Sequence, residues 1–154
     1  MREAMTEQLR LALDAAQAQA RQLNQDFVGT EHLLLGLLVV NHAAHGESEA
    51  VRALRRNEIN LNELRDSLVK ALPHSVKAPM VTGDLPFSPN AKDAMNAAIV
   101  SAQTNHDRRV STRLMLRGLL ADPESEIRAS LRGCGADLDR LQKTLDEPAQ
   151  HAEK

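Results

Sequence analysis

Four groups of residues carry side chains capable of chemistry. Thr30-Glu31-His32 stands directly before a run of leucines. Arg108, Arg109, Arg113 and Arg117 form a basic cluster, and Arg113 and Arg117 are four apart, the spacing of one helix face. His42 and His45 flank a loop before Gly46, and Cys134 is the single cysteine. A hydroxyl followed by a carboxylate suits a helix start, where orphan backbone N–H groups favour a capping oxygen and negative charge. The arginines suit a solvated face or, at a helix start, an anion-binding patch for a carboxylate- or phosphate-bearing partner. Arg113 falls in a first turn, where positive charge is opposed by the helix dipole. An anion should therefore lie near it, either Asp107 or a bound partner. Two histidines with no further ligand nearby make a surface loop rather than a metal site. No Ser/His/Asp or Cys/His signature is present, so neither catalysis nor a cofactor is expected.

The elements that position these groups are helices. The chain has 154 residues, 42% of them hydrophobic, with no Trp or Tyr and two Phe. Ala and Leu dominate, which favours helix over sheet. That length makes one domain, or two small halves sharing a core. The formal net charge of -2 creates no basic field that would draw the chain to nucleic acid, and stacking aromatics are scarce. The longest apolar run, Leu33 to Val40, is far too short to span a bilayer. A lone cysteine fits a reducing compartment, and a cytoplasmic location is expected.

Periodicity and cap residues predict eight helices. Thr6 opens the first, and Leu9, Ala12, Leu13, Ala16 and Ala20 line its inner face. The second runs from about Thr30 to Val40, its first turn polar and at the surface, with Leu34 and Leu37 buried. Residues 41–46 read as a loop and 47–56 as the third helix; Asn60 caps the fourth. Residues 73–86 read as a linker. Ser88 and Pro89 open the fifth helix, Thr112 marks the sixth, Ser125 the seventh and Asp137 the eighth. The two halves repeat: Thr6 aligns with Ser88, Ala12 with Ala94, Thr30 with Thr112 and Leu38 with Leu120, an offset of 82. After the loop the offset falls to 77, as in Leu54 with Leu131 and Leu64 with Leu141. The expected architecture is all-α, with four-helix repeats over 1–72 and 87–147 about a pseudo-twofold axis and a flexible tail over 148–154.

Asn24 to Leu38, with Val28-Gly29-Thr30-Glu31-His32-Leu33-Leu34-Leu35-Gly36-Leu37 at its centre, resembles the repeat motif of the N-terminal domain of Clp ATPases of the ClpA and ClpC type. Pro86-Phe87-Ser88-Pro89 resembles the start of that family's second repeat. The resemblance implies a protein-binding module, without catalysis, that docks adaptors, substrates or modified residues for a Clp unfolding motor. The chain has no G-x-x-x-x-G-K-[ST] phosphate loop, so it is expected to be a form or fragment without the motor. Some relatives hold phosphorylated arginine, the glutamate pairing the guanidinium and the helix start receiving the phosphate. That carries over to Gly29, Thr30 and Glu31. In the second repeat it reaches only Thr112, because Arg113 and Leu114 replace the acid and histidine. Phe87 is expected in the core and, by resemblance, at the border of a groove between the repeats with Lys92 on its rim. Docking on a protease core, a helical ligand carrier using that groove, and a nucleic-acid regulator working through the arginines are the rival readings.

Overall fold

Among the described residues, every helix but the second begins where a side chain can satisfy its first orphan N–H groups. Thr6, Ser48, Asn60, Ser88, Ser111, Ser125 and Asp137 all accept from a backbone amide two or three residues on. The computed structural model of the chain describes residues 4–39, 41–42, 46–72, 82–147 and 153. Among them lie α1 (Glu7–Gln22), α2 (Thr30–Val39), α3 (Glu49–Arg56), α4 (Leu61–Ala71), α5 (Pro89–Thr104), α6 (Thr112–Leu119), α7 (Glu126–Gly133) and α8 (Leu138–Asp146). The fold is all-α. The loop expected over 41–46 contains one two-residue antiparallel pairing, β1 (Asn41–His42) with β2 (Gly46–Glu47). The third helix starts at Glu49 rather than at 47, because Ser48 is its cap. Most of the expected linker, 73–81, and most of the expected tail lie outside the described residues. The linker's end is held to α1: the Gln17 side chain donates to the Leu85 carbonyl (3.0 Å) and accepts from its amide (2.8 Å).

Two short backbone pairings relate the repeats. Met5 bridges Val110 and Phe87 bridges Val28, both in parallel. These are the same contact twice, since 5 and 28 become 87 and 110 under the offset of 82. In each, the helix-cap amide bonds across: Thr6 N to Val110 O at 3.0 Å and Ser88 N to Val28 O at 2.9 Å. Each repeat thus places its opening helix start beside the polar first turn of the other repeat.

Helix contacts obey the same symmetry. Gly36 of α2 lies on the α1 backbone, where an added Cβ would press into the Ala12 carbonyl. Gly118 of α6 lies on α5, where a Cβ would press into the Ala94 carbonyl. These close approaches let Ala16, Ala98, Leu33, Leu37 and Leu116 fill one core that runs through both repeats. Leu34 and Leu37 are fully buried, as the leucine run predicts.

Candidate functional site

The polar start of α2 differs from the other helix starts. Thr30 is its first helical residue, and Gly29 takes the cap position, its carbonyl accepting from Leu33 N at 3.1 Å. The Gly29 amide donates to His32 Nδ1 at 2.9 Å. His32 therefore closes the reciprocal half of a capping box from the third helical position. Nδ1 is an acceptor, which makes the ring neutral with its proton on Nε2, and burial holds its pKa below the ordinary value. Nε2 is buried and has no partner among the described residues. His32 also stands edge-on to Phe27, a residue 44% exposed. Freed from capping, the Thr30 hydroxyl and the Glu31 carboxylate face outward.

They face a groove of about 520 Å³. One wall is Phe27, Gly29, Thr30 and Glu31. Ser88, Asn90 and Asp93 of the α5 start form the second, and residues 121–126 leading into α7 form the third. Five lining residues are acidic, namely Glu31, Asp93, Asp122, Glu124 and Glu126, and among the described residues no Lys, Arg or His lines it. Glu31 and Glu126 are close enough to interact. Hydrogen bonding with Glu31, then repulsion by its charge, pushes the Glu126 carboxyl above its ordinary pKa. A cation placed beside the two carboxyl groups would relieve that repulsion.

The second repeat has the corresponding site with the opposite arrangement. Arg113 corresponds to Glu31 under the offset of 82, and Glu49 corresponds to Glu126 under the offset of 77. α3 packs on α6 as α7 packs on α2. Arg113 Nε donates to Glu49 Oε1 at 3.3 Å and Nη1 to the Leu145 carbonyl at 2.5 Å, with Asp107 at 3.9 Å. The anion expected near Arg113 is thus chiefly Glu49, with Asp107 at the margin. Burial pushes the Glu49 carboxyl up; a bond from the Glu153 backbone, and then Arg113, pull it down. The second repeat therefore displays a guanidinium seated on the acid that matches Glu126.

The remaining sequence candidates separate. Arg117 points away from that pair, with Nε on Asp146 Oδ1 at 2.5 Å and Nη1 on Ser101 Oγ at 2.8 Å. Arg108 and Arg109 are exposed in the preceding loop. Phe87 is half-buried beside Met5 and Met95, lining a separate cavity of about 170 Å³. Lys92 is exposed and lines neither space. Thr112 is fully buried. Sequence reasoning missed Phe27, Asp93, Asp122, Glu124 and Glu126. Ser125-Glu126 repeats Ser48-Glu49 at the offset of 77, and that was the available signal.

Two helical repeats about a local twofold, with a groove where their helix starts meet, define a duplicated helical N-domain. Residues 4–133 match the Clp repeat (R) N-terminal domain, and the chain belongs to that family. It is similar to the ATP-dependent Clp protease ATP-binding subunit ClpA homolog of Cyanidium caldarium, 31% identical over 145 residues. That match covers 94% of this chain and 16% of the relative, so the chain spans about a sixth of that protein's length. The N-terminal domain of the chaperone ClpD from Arabidopsis thaliana has the same fold, with TM-score 0.71, 22% identity and coverage of 93% and 92%. So has a ClpV N-domain solved in complex with a VipB peptide, with TM-score 0.69, 18% identity and coverage of 97% and 91%. Among the described residues no helix is long and apolar enough to cross a membrane.

Proposed function

We propose that the chain is a non-catalytic protein-docking module of a Clp-type unfoldase system, and that its groove takes a basic side chain from an adaptor or substrate segment. The observation that carries this reading is the Glu31–Glu126 pair in a groove that no basic residue lines among the described residues. The second repeat supports it, because Arg113 rests its guanidinium on Glu49, the counterpart of Glu126. The relative whose N-domain was solved with a peptide supports the general role. Phe27 offers an exposed ring at the groove's edge, suited to the stem of an arginine or lysine. The partner would be a Clp subunit, adaptor or substrate in the cytoplasm, the compartment expected from the sequence.

Phosphorylated arginine is the narrower form of this reading. Its guanidinium would meet Glu31, and its phosphate would need the Thr30 and Ser88 side chains. Five carboxyl groups around the groove oppose a phosphate, so plain arginine is the preferred ligand. Nucleic acid is disfavoured, because Arg113 and Arg117 are already engaged within the chain.

Calorimetry with short peptides bearing arginine, citrulline or phospho-arginine tests this. Arginine should bind, and citrulline, the same shape without charge, should not. Hydrogen bonds to charged groups contribute about 1.5–3 kcal/mol, so Glu31→Gln with Glu126→Gln should weaken binding about tenfold or more. Affinity should also drop as pH falls through the raised Glu126 titration. Equal binding of arginine and citrulline peptides would refute the reading, and tighter binding of phospho-arginine would install the narrower form.

A further inference from the structure

The start of α6 is filled by the chain's own Glu153. Its carboxylate receives four donors, two on each oxygen. The Thr6 hydroxyl (2.7 Å) and the Thr112 amide (2.5 Å) donate to Oε1. The Thr112 hydroxyl (2.7 Å) and the Glu49 amide (3.0 Å) donate to Oε2. The Thr112 hydroxyl in turn accepts from Ala50 N at 3.0 Å, which fixes its direction. Two helix starts, those of α3 and α6, therefore converge on one anion, each favouring negative charge. The side chains that build the place are buried: Thr6 is 3% exposed, Thr112 0% and Glu49 7%.

A further contact specifies what fills it. The backbone amide of Glu153 donates to Glu49 Oε2 at 2.8 Å. Glu49, held in turn by Arg113, thus reads the main chain of the residue whose carboxylate the four donors read. An inorganic anion has no such N–H and would meet the Glu49 carboxylate with repulsion. An acidic residue within a peptide satisfies both requirements.

We propose that this place is a receptor for one acidic residue of a peptide segment, held in cis by Glu153, so that an acidic segment of a partner protein binds by displacing it. This receptor is independent of the groove beside Glu31, and its ligand has the opposite charge. The second repeat thus binds acid where the first binds base.

The test uses the full chain and its Glu153→Gln variant, with a fluorescent peptide of residues 148–154, PAQHAEK, as the probe. A tethered residue competes at an effective concentration on the order of millimolar, so the wild type should bind this peptide about tenfold or more weakly than the variant. A probe carrying Gln in place of Glu should not bind the variant. Adding Thr112→Val should abolish binding, and Thr6→Ala should weaken it where the valine variant does not fold. The Thr112 amide proton resonance should move upfield in Glu153→Gln, as the bond to the carboxylate is lost. Equal affinity of wild type and variant, indifference to the Gln probe, or absence of binding to either protein would overturn the proposal. Substituting Glu31 should leave this binding unchanged, so failure here and failure at the groove are separate results.

Discussion

Glu31 and Arg113 stand at equivalent first-turn positions of α2 and α6 and carry opposite charge. Glu31 lines an open groove beside another acid, whereas Arg113 closes its site by pairing with Glu49. One duplication has thus produced an open acidic site and one paired within the chain. The Arg113 side chain is 12% exposed and that of Glu49 6%, so the pair is largely desolvated. Removing one member of such a pair leaves a buried charge without compensation, at a cost of about 3–5 kcal/mol. Arg113→Ala should lower stability by that order in chemical denaturation. A loss below about 1 kcal/mol would show that the pair contributes little.

Gly36 and Gly118 should be equally intolerant of a methyl group. Both sit against a carbonyl of the preceding helix in their own repeat, Ala12 in one and Ala94 in the other. Forcing a methyl into such a contact costs about 1–3 kcal/mol, and more when backbone must move. Gly36→Ala and Gly118→Ala should each depress the melting temperature, by similar amounts. A neutral or stabilising result at either would show that its helix pair can separate without loss.

Most of the fold was legible because its signals are local. Thr6, Ser88, Ser125 and Asp137 announce their helices by type and position, and the leucines of α2 announce a buried helix. The offset of 82 exposed the duplication and therefore the twofold. The site was legible only in part. Glu31 could be read as the acid of a helix start, but its partner Glu126 comes from another repeat. The anion near Arg113 could be anticipated, yet Glu49 lies 64 residues away and no local spacing connects them. Thr30 reads as a cap by type, but Gly29 and His32 take that role, and the Thr30 hydroxyl donates instead to Glu31 Oε2 at 3.4 Å on the groove wall. The Glu153 contacts, 41 residues from Thr112 and 104 from Glu49, have no periodic signature at all.

His32 should make stability depend on pH. Burial lowers its pKa from 6.5, so the unfolded chain binds the proton more readily than the folded one. Its contribution is complete above about pH 6.5 and is lost as pH falls from there through the lowered folded value. Glu49 acts in the other sense, since its raised pKa makes stability fall as pH rises through it. The variant His32→Gln separates the two, because glutamine can accept from the Gly29 amide without titrating. Between about pH 7.5 and about pH 5.5 the wild type should lose more melting temperature than the variant. Parallel curves would mean that His32 binds protons equally in the folded and unfolded states across this range.

If the two repeats are unequal as proposed, the first one receives a basic side chain and the second does not. An amide-resolved NMR titration of the full chain with an arginine-bearing peptide tests it most directly. Saturable shifts are expected at Gly29, Thr30, Glu31, Asp93 and Glu126, fitting one site, with Thr112 and Arg113 unmoved. Shifts of similar size at both helix starts, or shifts confined to Thr112 and Arg113, would contradict it.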